Sequence, residues 1–598
     1  MERFLLMLLV PVAAVSAAAA AELRFKERAL SDLARHVPEI LKTYDAKTGR
    51  FGTGIWICND QQQMYPLAAA YAASAPGNVH HKDPKLLEAI MKAGDALIED
   101  MDEQGRWVFR KKDGSTWGKI HMPWTYSRWL RTFGLIRDAM PAERRERWTK
   151  ALSLGYGKIA EGALRHVHNI PAHHAMGLYA AGKALGRPEW CQQAAKFLEQ
   201  VAARQTEGGY WAEGGGPVVV YGFVYVDALG TYYAMSGDRK VLPALERAAA
   251  FHRHFTYPNG HNVETVDQRN PYHAQVSPGN VGFSFTPVGR AHLKAQWSQL
   301  GGPLDADLAA SLVLYGEEGP LAEEPSGRGE EVFVLRERGV ERAATLRRGP
   351  WFICWSAYTA RVVNSRWIQD RQNLVSIYHE KTGLILGGGN TKLQPAWSSF
   401  AVGDLAALAH RPGDTNPSFL PKGTLYHVPS VAKLSTAPEP ALELTYGPET
   451  CRLRVVPKDE RSLEYVVEAA ATSGLPIYAH LTLIPQLAGR VHFVAHGGQV
   501  RTETAQEPQS GQTLETAAGQ KLKLTATPIE LSAEQLGGWV SYAGWRLRLP
   551  PTASLSWPVF PHNPYRADGR ATPEEARIVI RIPLDRQHRE QRVVLEVP

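Results

Sequence analysis

The stretch GGYWAEGGGPVVVYGFVYVDALGTYYAMSG, residues 208–237, decides how the first half of the chain folds. Its glycines and Pro217 permit a sharp turn into a helix, because Gly tolerates unusual backbone dihedrals and Pro fits the first helical turn. In that helix Tyr221, Tyr225 and Tyr232 fall at i, i+4 and i+11 and therefore share one face. The pattern predicts that Tyr221, next to the glycine loop, borders a cleft, whereas the two later tyrosines pack in a core.

Helical periodicity extends on both sides of this stretch, from about residue 22 to residue 316. Segments with the 3.6-residue apolar repeat are separated by turn signals: 29–44, 61–74, 84–101, 122–140, 142–161, 169–185, 188–205, 217–235, 238–254, 288–300 and 305–315. Consecutive helical hairpins predict a ring, an α/α toroid, whose inner helices bring loop ends to one cleft. An open solenoid is the alternative, but no clear internal repeat favours it.

The pattern changes after Tyr315. Residues 317–331, EEGPLAEEPSGRGEE, are rich in Glu, Gly and Pro, as expected for an exposed connection. Beyond them, short β-branched and aromatic runs alternate with Gly, Pro and Asp, which predicts an antiparallel β-sandwich. The predicted organisation is a multi-domain α+β chain with a signal peptide at 1–21, the toroid at 22–316, a linker at 317–331 and the sandwich at 332–598.

The N-terminus predicts export. Glu2 and Arg3 precede an apolar run over residues 4–15 and small residues up to Ala21, which is the pattern of a secretory signal peptide. The apolar run is too short for a good spanning helix, so we expect no membrane association after cleavage near Ala20 or Ala21. The expected location is the periplasm or the medium.

Composition and charge narrow the possible partners. A formal net charge of +7 favours an anionic partner only weakly, and no basic run or motif indicates nucleic-acid binding. The widely separated Cys58, Cys191, Cys354 and Cys451 lack metal-ligand spacing, so we expect no metal and no disulfide framework, although a single bridge stays open. Nothing in the sequence indicates an oligomeric state.

A histidine-rich segment, RHVHNIPAHH at residues 165–174, opens one predicted helix. Asn169 suits the helix N-cap, so capping is one interpretation of this residue. His174 shares the buried stripe of the helix, whereas His173 faces small residues that leave space beside its ring, which favours His173 for the cleft. The two rings lie on different faces and match no zinc motif.

The order of toroid and sandwich resembles the toroid-plus-sandwich polysaccharide lyases, the group of heparinase II/III-like, alginate and chondroitin or hyaluronan lyases. Besides the glycine loop and its tyrosine helix, YHEKTG at 378–383 leading into LGGGNT at 386–391 looks like the start of the sandwich in heparinase II/III-like proteins. The resemblance implies an exported enzyme that cleaves a uronic-acid-containing polysaccharide by β-elimination, with an anionic polysaccharide as its partner and no cofactor.

Such an elimination needs a base for the C5 proton, donors for the adjacent carboxylate and an acid for the leaving oxygen. The resemblance implies that Asn169 and Arg269 bind the carboxylate and that Tyr221 moves protons, with His173 or His168 as the histidine of the site. Because His168 precedes Asn169, the reverse of the order common in relatives, the histidine's role stays open. A surface pair with Asp267 is the alternative for Arg269.

Further residues are expected to contact the polymer from loops beside the helices, and one from the sandwich. They are Trp56, Asn59, Trp124, Tyr126, Arg128, Glu213, Tyr225, Tyr272, His273 and His379. Tyr225 is also the alternative to Tyr221. Glu213 stands where chondroitin-type lyases have a histidine, and it could orient a histidine, bind a sugar hydroxyl or be a solvated loop acid. A tryptophan is more often packed in a protein core than placed in a binding cleft.

Two other functions stay open. A glycoside hydrolase on the same toroid would need two carboxylates flanking the bond, and Glu213, Asp227 and Asp267 are available without forming a clear pair. A non-catalytic glycan-binding protein would keep the aromatic cleft but lack a proton-transfer pair.

Overall fold

The structure is a computed structural model of the chain. It describes residues 21–52, 60–110, 116–322, 330–411, 414, 418–487, 492–493, 500–501, 512–566 and 568–598. The predicted signal peptide up to residue 20, and the expected site residues Trp56 and Asn59, lie outside this range, as does Cys58. Within it, no helix has the length and apolar character needed to cross a membrane, and no cluster of three or more His, Cys, Asp or Glu side chains could hold a metal ion.

The first half of the chain is helical, as predicted. In chain order the helices are α1 (Lys26–Leu41), α2 (Met64–Ala72), α3 (Pro84–Asp100), α4 (Pro123–Ile136), α5 (Ala142–Gly162), α6 (Asn169–Ala184), α7 (Pro188–Ala203), α8 (Val219–Ser236), α9 (Leu242–His254), α10 (Pro287–Gln299) and α11 (Ala306–Tyr315). Short 3-10 segments include Gln61–Gln63, Arg239–Val241 and Val281–Phe285. Each predicted helical segment is present, with its ends shifted by at most a few residues.

Helices α2, α4, α6, α8 and α11 form an inner ring. Each contacts the next, with the 3-10 segment Val281–Phe285 bridging α8 and α11, and α11 packs back onto α2. These helices are rich in small and apolar residues and are buried nearly all round, as befits helices surrounded by protein. Contacts of α1 with α11, supported by a hydrogen bond from the Leu304 amide to Asp32 (3.1 Å), close the ring. The arrangement is the predicted toroid and not an open solenoid.

The direction of the inner helices determines where a site can form. Because outer helices return the chain between inner ones, the inner helices run the same way and their N-termini meet at one mouth of the ring. The loops before α4, α6 and α8 therefore lie at this mouth. Helix N-termini carry a partial positive charge, so the mouth favours negatively charged groups.

The second half forms an antiparallel sandwich, also as predicted, whose two main sheets in the described residues enclose an apolar core. One sheet contains, in spatial order, Ile529–Leu531, Ser554–Val559, Arg577–Leu584, Ile477–Leu483, Gly383–Leu386, Val375–His379, Trp351–Ser356, Val340–Arg348 and Glu331–Glu337, with Phe400–Gly403 and Leu425–Tyr426 attached beside Ile477–Leu483. The other contains Val431–Ser435, Ala441–Tyr446, Glu449–Pro457, Ser462–Ala469, Glu590–Glu596, Trp545–Arg548, Trp539–Tyr542, Thr513–Thr516 and Lys521–Lys523.

Shorter strand pairs complete the description: Glu22–Leu23 with Gly319–Pro320, Tyr44–Asp45 with Arg50–Phe51, Trp107–Arg110 with Thr116–Ile120, and His492–Phe493 with Val500–Arg501. In the first pair, Gly319–Pro320 belongs to the predicted linker and Glu22–Leu23 to the start of the toroid. There Glu318 Oε1 also accepts hydrogen bonds from the amides of Phe25 (2.5 Å) and Lys26 (2.8 Å) at the start of α1. The beginning of the connection is therefore attached to the toroid.

The sandwich also fixes one loop at the mouth of the toroid. The Gly388 amide donates to Glu264 Oε1 (2.9 Å), and the Tyr272 amide donates to the Gly388 carbonyl (3.1 Å). A Cβ atom at the neighbouring Gly389 would lie 2.9 Å from Glu264 Cγ and 3.4 Å from Pro271 Cα, so a side chain here would hinder this close approach. Residues 264–272 are thereby held between the two halves of the chain.

Candidate active site

Glu213, in the glycine loop, links two inner helices at the mouth. Its Oε1 accepts hydrogen bonds from Asn169 Nδ2 (3.1 Å) at the start of α6 and from the Tyr225 hydroxyl (2.5 Å) in α8. The N-cap of α6 is His168. The interpretation of Asn169 as the capping residue is therefore wrong, because its side chain extends to Glu213 instead.

Tyr225 is buried and committed to this contact. Burial, reinforced by the Glu213 carboxylate, raises the pKa of Tyr225 well above its ordinary value. The residue therefore remains a neutral phenol at working pH, and its proton is engaged by Glu213. Trp211 stacks on its ring, with centroids 4.8 Å apart. These contacts fit the predicted core position of Tyr225 better than a role in proton transfer.

Tyr221 lies one turn before Tyr225 on α8 and is partly exposed. Its oxygen accepts a hydrogen bond from Arg269 Nη1 (2.8 Å), and the guanidinium carbon is 5.3 Å from the centroid of its ring. Because Arg269 donates to the oxygen, the phenolic proton of Tyr221 points elsewhere and can be donated to another group. One helical turn, roughly 5–6 Å between Cβ atoms, separates this pair from the contacts of Tyr225.

The loop that carries Arg269 is held from several sides. The buried Asp267 carboxylate accepts hydrogen bonds from the amides of Val219 (2.8 Å), Arg269 (2.7 Å) and Asn270 (2.8 Å). From the sandwich, Arg371 Nη1 donates to the Val266 carbonyl (3.0 Å) and Asn390 donates to the Asp267 carbonyl. The alternative of a side-chain pair between Arg269 and Asp267 is therefore wrong, because that carboxylate binds backbone amides.

The expectation that His173 faces open space is wrong. Its side chain is only 1% exposed; its Nε2 is 2.9 Å from Ser127 Oγ, and its ring lies against Trp124, with centroids 5.8 Å apart. The small residue expected to leave room, Gly177, is instead approached by the Tyr156 hydroxyl. His174 is buried as predicted, and burial lowers its pKa to about 3. His168 is exposed at the mouth.

Three residues expected to contact the polymer are buried and bound to other groups. Tyr126 is fully buried and donates to the Gly105 carbonyl (2.5 Å). Arg128 is 3% exposed and forms a two-point pair with Asp307, at 2.5 and 2.8 Å. His379 lies inside the sandwich, where its Nε2 is 3.1 Å from the Glu460 carbonyl. Each of these side chains is occupied by a structural contact.

The remaining expected residues lie in segments that border the mouth or its supporting loop. Trp124 is partly exposed at the start of α4. Tyr272 is partly exposed, but its hydroxyl is 2.7 Å from His261 Nδ1, and burial raises its pKa. His273 is partly exposed in the same loop.

The sequence analysis missed an aromatic group that the sandwich contributes. Tyr565, half of whose surface is exposed, lies close enough to Tyr221 and Arg269 to interact with both electrostatically. Its ring centroid is 5.6 Å from that of Trp367, and Arg366 lies over Trp367 at 4.3 Å. These residues lie in irregular connections of the sandwich. The sequence signal that could have identified them is an aromatic residue next to an arginine, in SRW at 365–367 and NPYR at 563–566.

We expect Tyr565→Ala to raise KM about three- to tenfold with little change in kcat, because an exposed ring beside Tyr221 would stack on the sugar without taking part in bond breaking. Initial rates over a range of polymer concentrations measure both constants. Tyr426→Ala removes another exposed tyrosine of the sandwich and is the matched control. An equal rise in KM for both variants would place Tyr565 outside the substrate path.

No family model matches the chain, and the comparison with curated proteins gives no match. Among solved structures, a chondroitin AC lyase of Streptomyces coelicolor A3 in complex with chondroitin sulphate is similar, with a TM-score of 0.50 and 14% identity over 97% of this chain and 80% of that chain. A heparan sulfate lyase of Pedobacter heparinus has a TM-score of 0.43 and 12% identity over 95% and 82% of the two chains. A β-L-arabinofuranosidase of Geobacillus stearothermophilus T6 has a TM-score of 0.29 and 9% identity over 97% and 81%. The similarity to the first shows the fold, an α/α toroid followed by an antiparallel β-sandwich like that of a polysaccharide lyase.

Proposed function

We propose that the protein is an exported polysaccharide lyase that cleaves a uronic-acid-containing polysaccharide by β-elimination. The observation that carries the proposal is the hydrogen bond from Arg269 to the Tyr221 oxygen at the mouth of the toroid. This hydrogen bond brings together a phenol that can transfer a proton and a guanidinium that can hold a carboxylate. The signal-peptide pattern of the first residues supports export.

In the proposed reaction the substrate carboxylate binds to Arg269 and Asn169. A guanidinium has five N–H donors and Tyr221 engages one, so Arg269 can hold a carboxylate at the same time. An amide has two N–H donors, and Asn169 gives one to Glu213. Both residues can therefore stabilise the negative charge that develops on the carboxylate when the C5 proton leaves.

Tyr221 transfers the protons in this proposal. The Tyr221 oxygen, in its deprotonated form, takes the C5 proton; the C4–O bond then breaks as the C4–C5 double bond forms, and the same oxygen returns the proton to the leaving oxygen. His173 is too deeply buried to reach the sugar, so His168 is the expected histidine that the polymer could contact.

The contacts of the acidic residues favour this function over glycoside hydrolysis. Glu213 is bound to Asn169 and Tyr225, and Asp267 is buried against three backbone amides. Hydrolysis needs one carboxylic acid and one carboxylate beside the scissile bond. These two groups are instead occupied in holding the loops of the mouth.

The deciding experiment is digestion of alginate, glucuronan, heparan sulfate, chondroitin sulfate and hyaluronan while ultraviolet absorbance and polymer size are followed. A lyase forms an unsaturated uronate whose conjugated double bond absorbs, so we expect absorbance to rise as the polymer shortens with at least one substrate. Shortening without absorbance would show a hydrolase. Binding without shortening would show a glycan-binding protein.

A further inference from the structure

A cavity of about 790 Å³ opens next to the proposed catalytic residues, between the start of α6, the end of α7 and the glycine loop. Tyr225 and His168 belong to its lining, so it adjoins the group formed by Asn169, Glu213 and Tyr225. The volume lies within the range of about 300–1,000 Å³ that is typical of small-ligand sites. The cavity therefore has room for sugar units next to the one being cleaved.

The lining of this cavity is basic. Arg165 and Arg204 belong to it together with His166 and His168, and among the described residues no acidic one does. On the flanking segments, Glu161 pairs with Lys158 (2.8 Å) and Glu207 accepts from the Arg338 amide (2.9 Å). Glu213 is bound beside the cavity to Asn169 and Tyr225. Neither Arg165 nor Arg204 has a carboxylate partner within the part of the chain that the structure describes.

One wall of the cavity is rigid. Trp211 donates its indole N–H to the Val201 carbonyl (2.8 Å) and stacks on Tyr225 with an interplanar angle of 11°. The arginines come from segments on either side, since Arg165 precedes α6 and Arg204 follows α7. Two exposed arginines thus line the same cavity as this wall, and guanidiniums suit a planar or tetrahedral anion.

We propose that this cavity is a subsite for a second anionic group of the polysaccharide, a carboxylate or a sulfate ester, while the uronate to be cleaved lies at Tyr221. The inference rests on the proposed function and narrows its substrate class. The preferred polymer carries negative charge on successive or nearly successive sugars, as a polyuronate or a sulfated glycosaminoglycan does. A neutral polymer with isolated uronates would leave both arginines unused.

The test is the dissociation constant of three size-matched oligosaccharides, from chondroitin sulfate, from desulfated chondroitin and from glucuronan, measured by calorimetry at low salt. All proteins carry Tyr221→Phe so that cleavage during the measurement is strongly slowed. We expect Arg165→Ala/Arg204→Ala to weaken the binding of anionic oligosaccharide about tenfold, since two exposed charge contacts are lost. The dependence of binding on salt should also become weaker.

The matched control is Arg145→Ala/Arg239→Ala, which removes two exposed arginines from other parts of the toroid. Equal weakening in both double variants would show a general effect of net charge and overturn the subsite, as would failure of the parent protein to bind any of the three. Loss of the preference for the sulfated form would identify a sulfate site. Equal loss for glucuronan would identify a carboxylate site.

The outcomes for the subsite and for the lyase are separable. If the oligosaccharides bind through Arg165 and Arg204 but no polymer gives an absorbance rise with the unaltered chain, the subsite holds and the lyase proposal fails. If a polymer gives the absorbance rise and its binding is indifferent to both arginines, the lyase holds and the subsite fails.

Discussion

Tyr221→Phe is expected to lower kcat at least about a hundredfold, the lower part of the range for losing a positioned acid or base. The substitution removes only the hydroxyl that accepts from Arg269 (2.8 Å), and the ring stays beneath the guanidinium. Polymer binding and the melting temperature should therefore change little. Rates of absorbance rise on a confirmed substrate, together with a binding assay, measure the two effects separately.

Tyr225→Phe is the matched control, because it deletes the same atom one turn further along α8. It removes the hydrogen bond to Glu213 (2.5 Å), so we expect a loss of stability of about 1 kcal/mol and most of the turnover to remain. An inactive Tyr225→Phe with a normal Tyr221→Phe would move the proton-transfer residue by one turn. Normal turnover in both would exclude a tyrosine mechanism for this protein.

The fold could be predicted because its signals are local. The 3.6-residue repeat gave the position of each helix, and closure of the ring followed from consecutive hairpins. Several strands carry no clear alternating pattern in the sequence. Val340–Arg348 has the sequence VERAATLRR, in which arginines and alanines obscure the alternation of apolar and polar residues. The hairpin of Trp107–Arg110 with Thr116–Ile120 lies alone between helices, where no neighbouring strands indicate a sheet.

The sequence indicates residues of the candidate site only where they lie on neighbouring turns of one helix or in a segment that resembles a lyase motif. The helical spacing of Tyr221 and Tyr225 indicated that they share a face but not that Glu213 engages only the second. Arg128 was expected in the cleft because it is near a helix start, yet its partner Asp307 is 179 residues away in sequence. Contacts between residues so far apart in sequence, such as the approach of Tyr565 to Tyr221, depend on how the ring closes and how the sandwich packs on it.

Arg269→Ala is expected to lower kcat/KM about a hundredfold or more, since losing one preorganised donor typically costs about 3 kcal/mol of transition-state stabilisation. The residue contributes twice in the proposed reaction, once to the Tyr221 oxygen and once to the substrate carboxylate. Arg269→Lys keeps the charge but loses the planar fork that serves both partners, so we expect it to recover only part of the activity. Full activity of the alanine variant would remove Arg269 from the site.

Asn169→Ala is expected to give a similar loss in kcat/KM, and here stability distinguishes the two roles. If Asn169 capped the helix, its replacement by Ala would lower the free energy of unfolding by about 1 kcal/mol. His168 is the N-cap of α6, so Asn169→Ala removes no cap and loses only the hydrogen bond to Glu213 (3.1 Å). We therefore expect the melting temperature to fall no further than in Tyr225→Phe, while turnover falls much more. A lower melting temperature with unchanged turnover would give Asn169 a structural role and leave the carboxylate to Arg269 alone.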